Sequence, residues 1–271
     1  MARHALCIGI NDYPGTKDDL NGCVNDAKDW AAALGKRDFS VQKLINKDAT
    51  GDSIRKAINS IISGAGSGDS IIIQYSGHGS YVPDENGDEP DGTDECICPY
   101  DVKRKGTITD DELFELLSAR QRSVKVVMIS DSCNSGSVAR FAPITTPPTI
   151  RGSSPPQRKV RFLPPAAFLS ARDVGSLGVR LGPRRSSPPG RYACLLMAGC
   201  QEYELSWDAV FQGRPNGAFT FVALDAFKSL SSNASYLDWF RAIRKRLPSQ
   251  QYPQTPNLYG SNSMKRWKIL S

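Results

Sequence analysis

Ile71-Ile72-Ile73-Gln74-Tyr75 constrains the fold more than any other stretch of the 271-residue chain. A strand with apolar side chains at successive positions has no face to offer water, so it belongs inside a sheet covered on both sides. Ala5 to Asn11 and Val124 to Ile129 read the same way, and Val41 to Ile45 is β-prone. Between these runs the period changes: Val24, Ala27, Ala31 and Leu34, then Ile54, Ala57, Ile58 and Ile61, recur at helical spacing. Thr109 with Glu112 forms a capping box that opens a helix from Glu112 to Leu117. Strands separated by helices predict the α/β class, with a mostly parallel central sheet flanked by helices on both faces. A strand at Cys194 to Met197 and helices at Phe219 to Leu230 and Leu237 to Leu247 suggest that the C-terminal segment completes that sheet.

The intervening composition is different. Ten of the 18 prolines lie between Pro143 and Pro189, and residues 139–192 hold ten Lys or Arg against one acid, Asp173. Such a stretch resists packing and reads as an extended connection, which divides one composite domain into a large segment (1–138), a basic Pro-rich linker (139–192) and a small segment (193–271). The linker holds more positive charge than the chain's net +6, so the body is mildly acidic and a nucleic-acid partner is not expected. The first apolar run stops at Asn11 and Asp12, too soon for a membrane span or a signal-peptide core. Seven cysteines without regular spacing suit reduced thiols, hence a cytoplasmic protein.

In sheets of this kind reactive groups collect in the loops after the carboxyl ends of strands. Three such loops stand out: the turn to Asp26, Ser76-Gly77-His78-Gly79, and Asp131-Ser132-Cys133-Asn134-Ser135-Gly136. Of the two histidines, His4 has no evident polar company, whereas glycines flank His78 and should leave its imidazole accessible. Free cysteines are usually small core residues, and Cys7, Cys194 and Cys23 fit that description. Cys133, in a small polar turn, should be exposed at the sheet edge, where an imidazole would help its thiol ionise. The N–H groups of Cys133 and Gly79 are candidates for an oxyanion hole.

These motifs, with Gly9-Ile10-Asn11-Tyr13, Cys23-Val24-Asn25-Asp26, Asp94 to Pro99, Ala198-Gly199-Cys200-Gln201, Gly217-Ala218-Phe219-Thr220 and Gln254-Thr255-Pro256, resemble the metacaspases. The prokaryotic forms called orthocaspases, within the wider caspase-like fold, are the nearest in kind, although Asn134 stands where a histidine is more usual. The resemblance implies a cysteine endopeptidase with a Cys133–His78 dyad and no obligatory third residue orienting the histidine. It also implies cleavage after arginine or lysine in protein substrates. The acidic pocket maps onto Asp26 and Asp131, with Ser76 and Cys23 nearby. A buried carboxylate pair repels itself unless a cation enters, which agrees with such a preference. The bland reading makes Asp26 a helix cap and Asp131 a turn former.

Family calcium ligands carry over onto Asp94, Asp110 and Asp111, but the fourth falls on Arg140. A cation there replaces a ligand, so the expectation is that no cofactor is required. The loop from Asp84 to Glu95 imitates an EF-hand poorly, with Glu89 in place of the glycine and Pro90 after it. Trp207 is a candidate for the substrate rim. Arg140, Arg151, Lys159, Arg172, Arg185 and Arg191 offer cleavage points in the linker, for the protein itself or for an upstream activating protease. The competing readings are a solvated spacer for the linker, and for the whole chain a catalytically silent scaffold or a basic nucleic-acid module.

Overall fold

The computed structural model describes residues 1–86, 89, 92–133, 158–177, 193–201 and 204–270. The large segment runs β1 (Arg3–Gly9), α1 (Cys23–Gly35), β2 (Ser40–Ile45), α2 (Gly51–Ser63) and β3 (Ser70–Ser76). It continues with β4 (Gly79–Pro83), β5 (Thr93–Ile97), α3 (Val102–Lys105), β6 (Ile108–Thr109), α4 (Asp110–Ser118) and β7 (Lys125–Asp131). Among the described residues of the Pro-rich stretch are β8 (Lys159–Val160), a 3-10 turn (Pro165–Ala167) and α5 (Ala171–Ser176). The small segment supplies β9 (Leu195–Ala198), β10 (Trp207–Phe211), β11 (Arg214–Gly217), α6 (Ala218–Lys228), α7 (Tyr236–Arg244), β12 (Asn257–Tyr259) and α8 (Asn262–Lys265).

The main sheet has the order β12-β9-β7-β3-β1-β2, parallel except for β12. Strand β9 pairs with β7, so the small segment does extend the sheet of the large one. The apolar run in β3 divides its side chains between two cores. Ile71 and Ile73 pack with Ile54, Ile58 and Ile62 of α2 and Leu113 and Leu117 of α4. Ile72 faces the other way, with Trp30 and Leu34 of α1, Phe219 of α6 and Trp239 of α7. Burying every side chain of such a strand needs helices on both faces, which is what the sequence pattern implied. Among the described residues no helix is long and apolar enough to cross a membrane.

Local expectations hold with small departures. Thr109 caps α4 by accepting from the Glu112 N–H, but the Glu112 carboxylate turns to Arg55, so only half of the box forms. His4 sits inside β1 rather than before it. The acidic loop joins β4 to β5 in an antiparallel pair, so strands and not helices flank it. Part of the Pro-rich stretch, 158–177, docks onto the body, with Leu163 and Phe168 in the first core. Composition missed this because a few apolar anchors suffice to hold an otherwise polar segment.

Candidate active site

Parallel register brings the two reactive loops together. Ser76 at the end of β3 pairs with Asp131 at the end of β7. His78 and Cys133 each lie two residues beyond these partners, so neighbouring strands deliver them to one rim. Gly77 makes the turn possible: a Cβ there would stand 2.5 Å from the Tyr75 hydroxyl and 2.7 Å from that of Tyr13. The same hydroxyls fix the turn, Tyr13 accepting from the His78 N–H at 2.7 Å and Tyr75 donating to the His78 carbonyl at 2.6 Å.

The imidazole of His78 lies 4.6 Å from the Tyr13 ring, and its Nε2 bonds to the main-chain carbonyl of Asp18. A carbonyl only accepts, so Nε2 carries the hydrogen and Nδ1 keeps a lone pair. Nδ1 has no hydrogen-bond partner, although the ring is close enough to the Arg161 main chain to be influenced by it. Burial pushes the His78 pKa down to about 4, opposed by the Asp18 carbonyl, so the ring is neutral at physiological pH. An orienting group is therefore present. It is a backbone atom, for which a sequence has no side-chain signal.

Neither His78 nor Cys133 is accessible, contrary to the expectation from their loops: they are 1% and 0% exposed. The cause is non-local. Strand β8 adds to β10 in antiparallel pairing, Trp207 opposite Val160 and Asp208 opposite Lys159, and the chain beyond it covers both residues. Trp207 thus lies beside the covering segment, as a rim residue would, but in a strand rather than a loop. The Arg161 N–H donates to the Ser206 carbonyl at 3.0 Å. The Arg161 carbonyl accepts from the N–H of Gly79 at 3.0 Å and of Cys133 at 3.2 Å. The Cys133 thiol rests against the Ser206 main chain, 3.5 Å from its carbonyl oxygen.

Beneath this carbonyl the Arg161 side chain fills an acidic pocket and is itself wholly buried. Its guanidinium donates to Asp26 Oδ2 at 2.6 Å, lies 3.2 Å from Asp131 Oδ2 and donates to the Asp131 carbonyl at 3.0 Å. The two carboxylates are held from behind. Asp26 accepts from Asn216 Nδ2 and the Gly217 N–H, and Asp131 from Ser206 Oγ and from both the N–H and the hydroxyl of Thr220. Burial raises the Asp26 pKa to about 6; the Arg161 guanidinium pulls it down, and Asp131 pushes it up again. Of the other residues expected here, the Cys23 thiol is near enough to feel the Arg161 charge, whereas Ser76 Oγ accepts from Gln74. Neither bonds the guanidinium. Asp208, unforeseen, adds negative potential while capping the N–H groups of Asn21 and Gly22.

Sequence reasoning gave no pocket role to Arg161, Ser206, Asn216 or Thr220, although Thr220 closes one of the motifs that carry the resemblance. Arg161 is one of ten similar residues in its segment, and the other three act from elements that reach the pocket only through the fold. Of the nominated linker residues, Lys159 lies in β8 and Arg172 in α5. Arg140, Arg151, Arg185 and Arg191 fall outside the described residues, as do Asn134, Ser135 and Gly136.

The expected metal positions gather without forming a cage. The Asp110 carboxyl is pushed up to about 7, mainly by burial, with repulsion from Asp111, Glu89 and Asp94 adding to it. Asp111 accepts a hydrogen bond from Asn86 at 2.7 Å. Among the described residues no three His, Cys, Asp or Glu side chains converge as metal ligands, and Arg140 lies outside them.

Comparison with known proteins bears on the family and the fold. The caspase-domain family model matches residues 2–267. Metacaspase-7 of Arabidopsis thaliana is 42% identical over 146 residues, which cover 50% of this chain and 35% of the relative. Metacaspase-1A of Aspergillus oryzae is 30% identical over 289 residues, 97% of this chain and 68% of the relative. The chain thus spans about a third to two-thirds of the curated relatives it matches. Among solved structures, a Geobacter sulfurreducens protein aligns over 100% of this chain and 99% of its own, with a TM-score of 0.75 and 30% identity. Caspase-1 of Spodoptera frugiperda shares the fold, with a TM-score of 0.58 and 12% identity over 96% of this chain and 85% of its own. The chain belongs to the caspase-domain family, with metacaspase relatives and the caspase fold.

Proposed function

We propose that this protein is an endopeptidase that cuts after arginine or lysine, with Cys133 as nucleophile and His78 as proton carrier, and that its own Arg161–Phe162 bond is a substrate. The observation that carries the reading is the pose of Arg161. A peptide entering such a cleft needs an added β-strand, a carbonyl aimed at two N–H donors and a cation between two carboxylates, and Arg161 meets all three conditions. An acidic side chain in that pocket would face Asp26 and Asp131 with like charge, which sets the preference.

In the reaction Nδ1 of neutral His78 takes the thiol proton as Sγ attacks the carbonyl carbon. The negative charge forming on the oxygen is held by the N–H groups of Gly79 and Cys133. Collapse breaks the bond to the leaving nitrogen, which receives the proton from His78 and departs as an amine. Water then hydrolyses the thioester, releasing the carboxylate and restoring the thiol. Asp18 holds the imidazole in the tautomer this needs. Every group in the sequence belongs to the chain, and the proposal requires no cofactor. Protein or peptide substrates with a basic residue before the cut are the expected partners; seven unpaired thiols suit a cytoplasmic setting.

A positional scan with fluorogenic peptides, run on the wild type and Cys133→Ala, tests the reading. Arginine and lysine before the reporter should be turned over and aspartate should not, with all turnover lost in the variant. Hydrolysis that survives Cys133→Ala, or that favours aspartate, contradicts it.

A further inference from the structure

Beyond the arginine the same strap continues in order across the rim, where recognition of residues after a cut would take place. Phe162 forms a parallel bridge with Gly79. Leu163 donates its N–H to the Gly79 carbonyl at 3.0 Å, and its own carbonyl accepts from Ser80 Oγ at 2.6 Å. Strand β4 therefore grips the main chain on this side as β10 does on the other. The side chains are sorted. The Phe162 ring stacks on Tyr81 with centroids 6.0 Å apart and planes 17° from parallel, while Leu163 is fully buried in the core that also holds Cys98, Val102 and Phe168.

The contacts before Arg161 are of a weaker kind. Lys159 reaches the Asp19 carbonyl and Arg158 the Gln251 carbonyl, both in exposed positions where water competes. Arg158 also stands 5.3 Å from the Tyr252 ring centre. Exposed charged contacts of this sort discriminate little, whereas a buried aliphatic side chain and a stacked ring each change affinity by about tenfold.

We propose that the enzyme reads its substrates after the cut as well as before it, taking an aromatic residue first, on the face of Tyr81, and a branched aliphatic residue second, in the recess that Leu163 fills. The substrate class is then a basic residue followed by an aromatic and an aliphatic one. This rests on the proposed peptidase activity and concerns the same site. Ser80 and Gly79 hold the main chain of any sequence, so the selection lies in the two side-chain positions.

The test uses internally quenched peptides copying residues 158–165, with the phenylalanine or the leucine changed to alanine, beside a reporter that ends at the arginine and has no residues after it. On the purified full chain each alanine should lower kcat/KM about tenfold. In Tyr81→Ala the preference at the first position should fall to near one while that at the second persists. Tyr81→Phe, which keeps the ring, should retain both. Each comparison is a ratio within one enzyme, so a partly folded variant does not mimic the result. Equal rates for all three peptides, with the short reporter still hydrolysed, would overturn this inference and leave the peptidase reading standing. Hydrolysis of nothing would remove both.

Discussion

Arg161 is a cation without solvent between two carboxylates without solvent, and such an arrangement stands only while all three charges are present. Removing one carboxylate charge in Asp26→Asn should therefore cost roughly a hundredfold in kcat/KM for arginine peptides, measured against the same peptides on wild type. The pH dependence follows from the same carboxyl. Its pKa is about 6 with the cation in place, and only the ionised form attracts a guanidinium. KM for arginine peptides should rise as pH falls from about 7 through 6, and this limb should vanish in Asp26→Asn; a flat KM would contradict it. His78 contributes to stability with a definite sign. Its folded value of about 4 lies below the ordinary 6.5, so its contribution is complete above 6.5 and lost as pH falls through 4. His78→Asn should lose stability less steeply than wild type across that window.

At the scale of elements, the strand ends decide the chemistry. Equal two-residue offsets beyond β3 and β7 place His78 and Cys133 on one rim, and both strands were legible because apolar runs with helical periods between them admit few arrangements. The junction of β11 and α6 was not legible in this way. Gly217 sits there so close to the pocket that a Cβ would stand 2.1 Å from Asp131 Oδ2 and 2.6 Å from the Arg161 guanidinium. Gly217→Ala should raise KM for arginine peptides by about tenfold or more; steady-state kinetics showing no change would mean the pocket is more yielding than its packing suggests. Exposure was misjudged for a related reason. A loop's own residues set its turn but not what another segment lays over it, so Cys133 and His78 read as open when β8 and the residues after it cover them.

Over the whole molecule, the Pro-rich segment acts as a strap as well as a connection. Its composition read as an extended connection, with a solvated spacer as the competing reading, yet Arg161, Leu163 and Phe168 anchor residues 158–177 in the pocket and the first core. Arg161→Ala should lower stability by about 3–5 kcal/mol, because two buried carboxylates are left without their cation. An added arginine peptide should raise the Tm of that variant more than that of Cys133→Ala, whose uncut strap keeps Arg161 in the pocket. Chelator should leave peptide hydrolysis intact, because no proposed step uses a metal; loss restored by added calcium would contradict this.

The most direct measurement is the intact mass of freshly purified chain over time, for wild type and Cys133→Ala. The account predicts fragments ending at Arg161 and beginning at Phe162 in wild type only. A wild-type chain that stays whole while it hydrolyses arginine peptides, or the same cut appearing in Cys133→Ala, would contradict it.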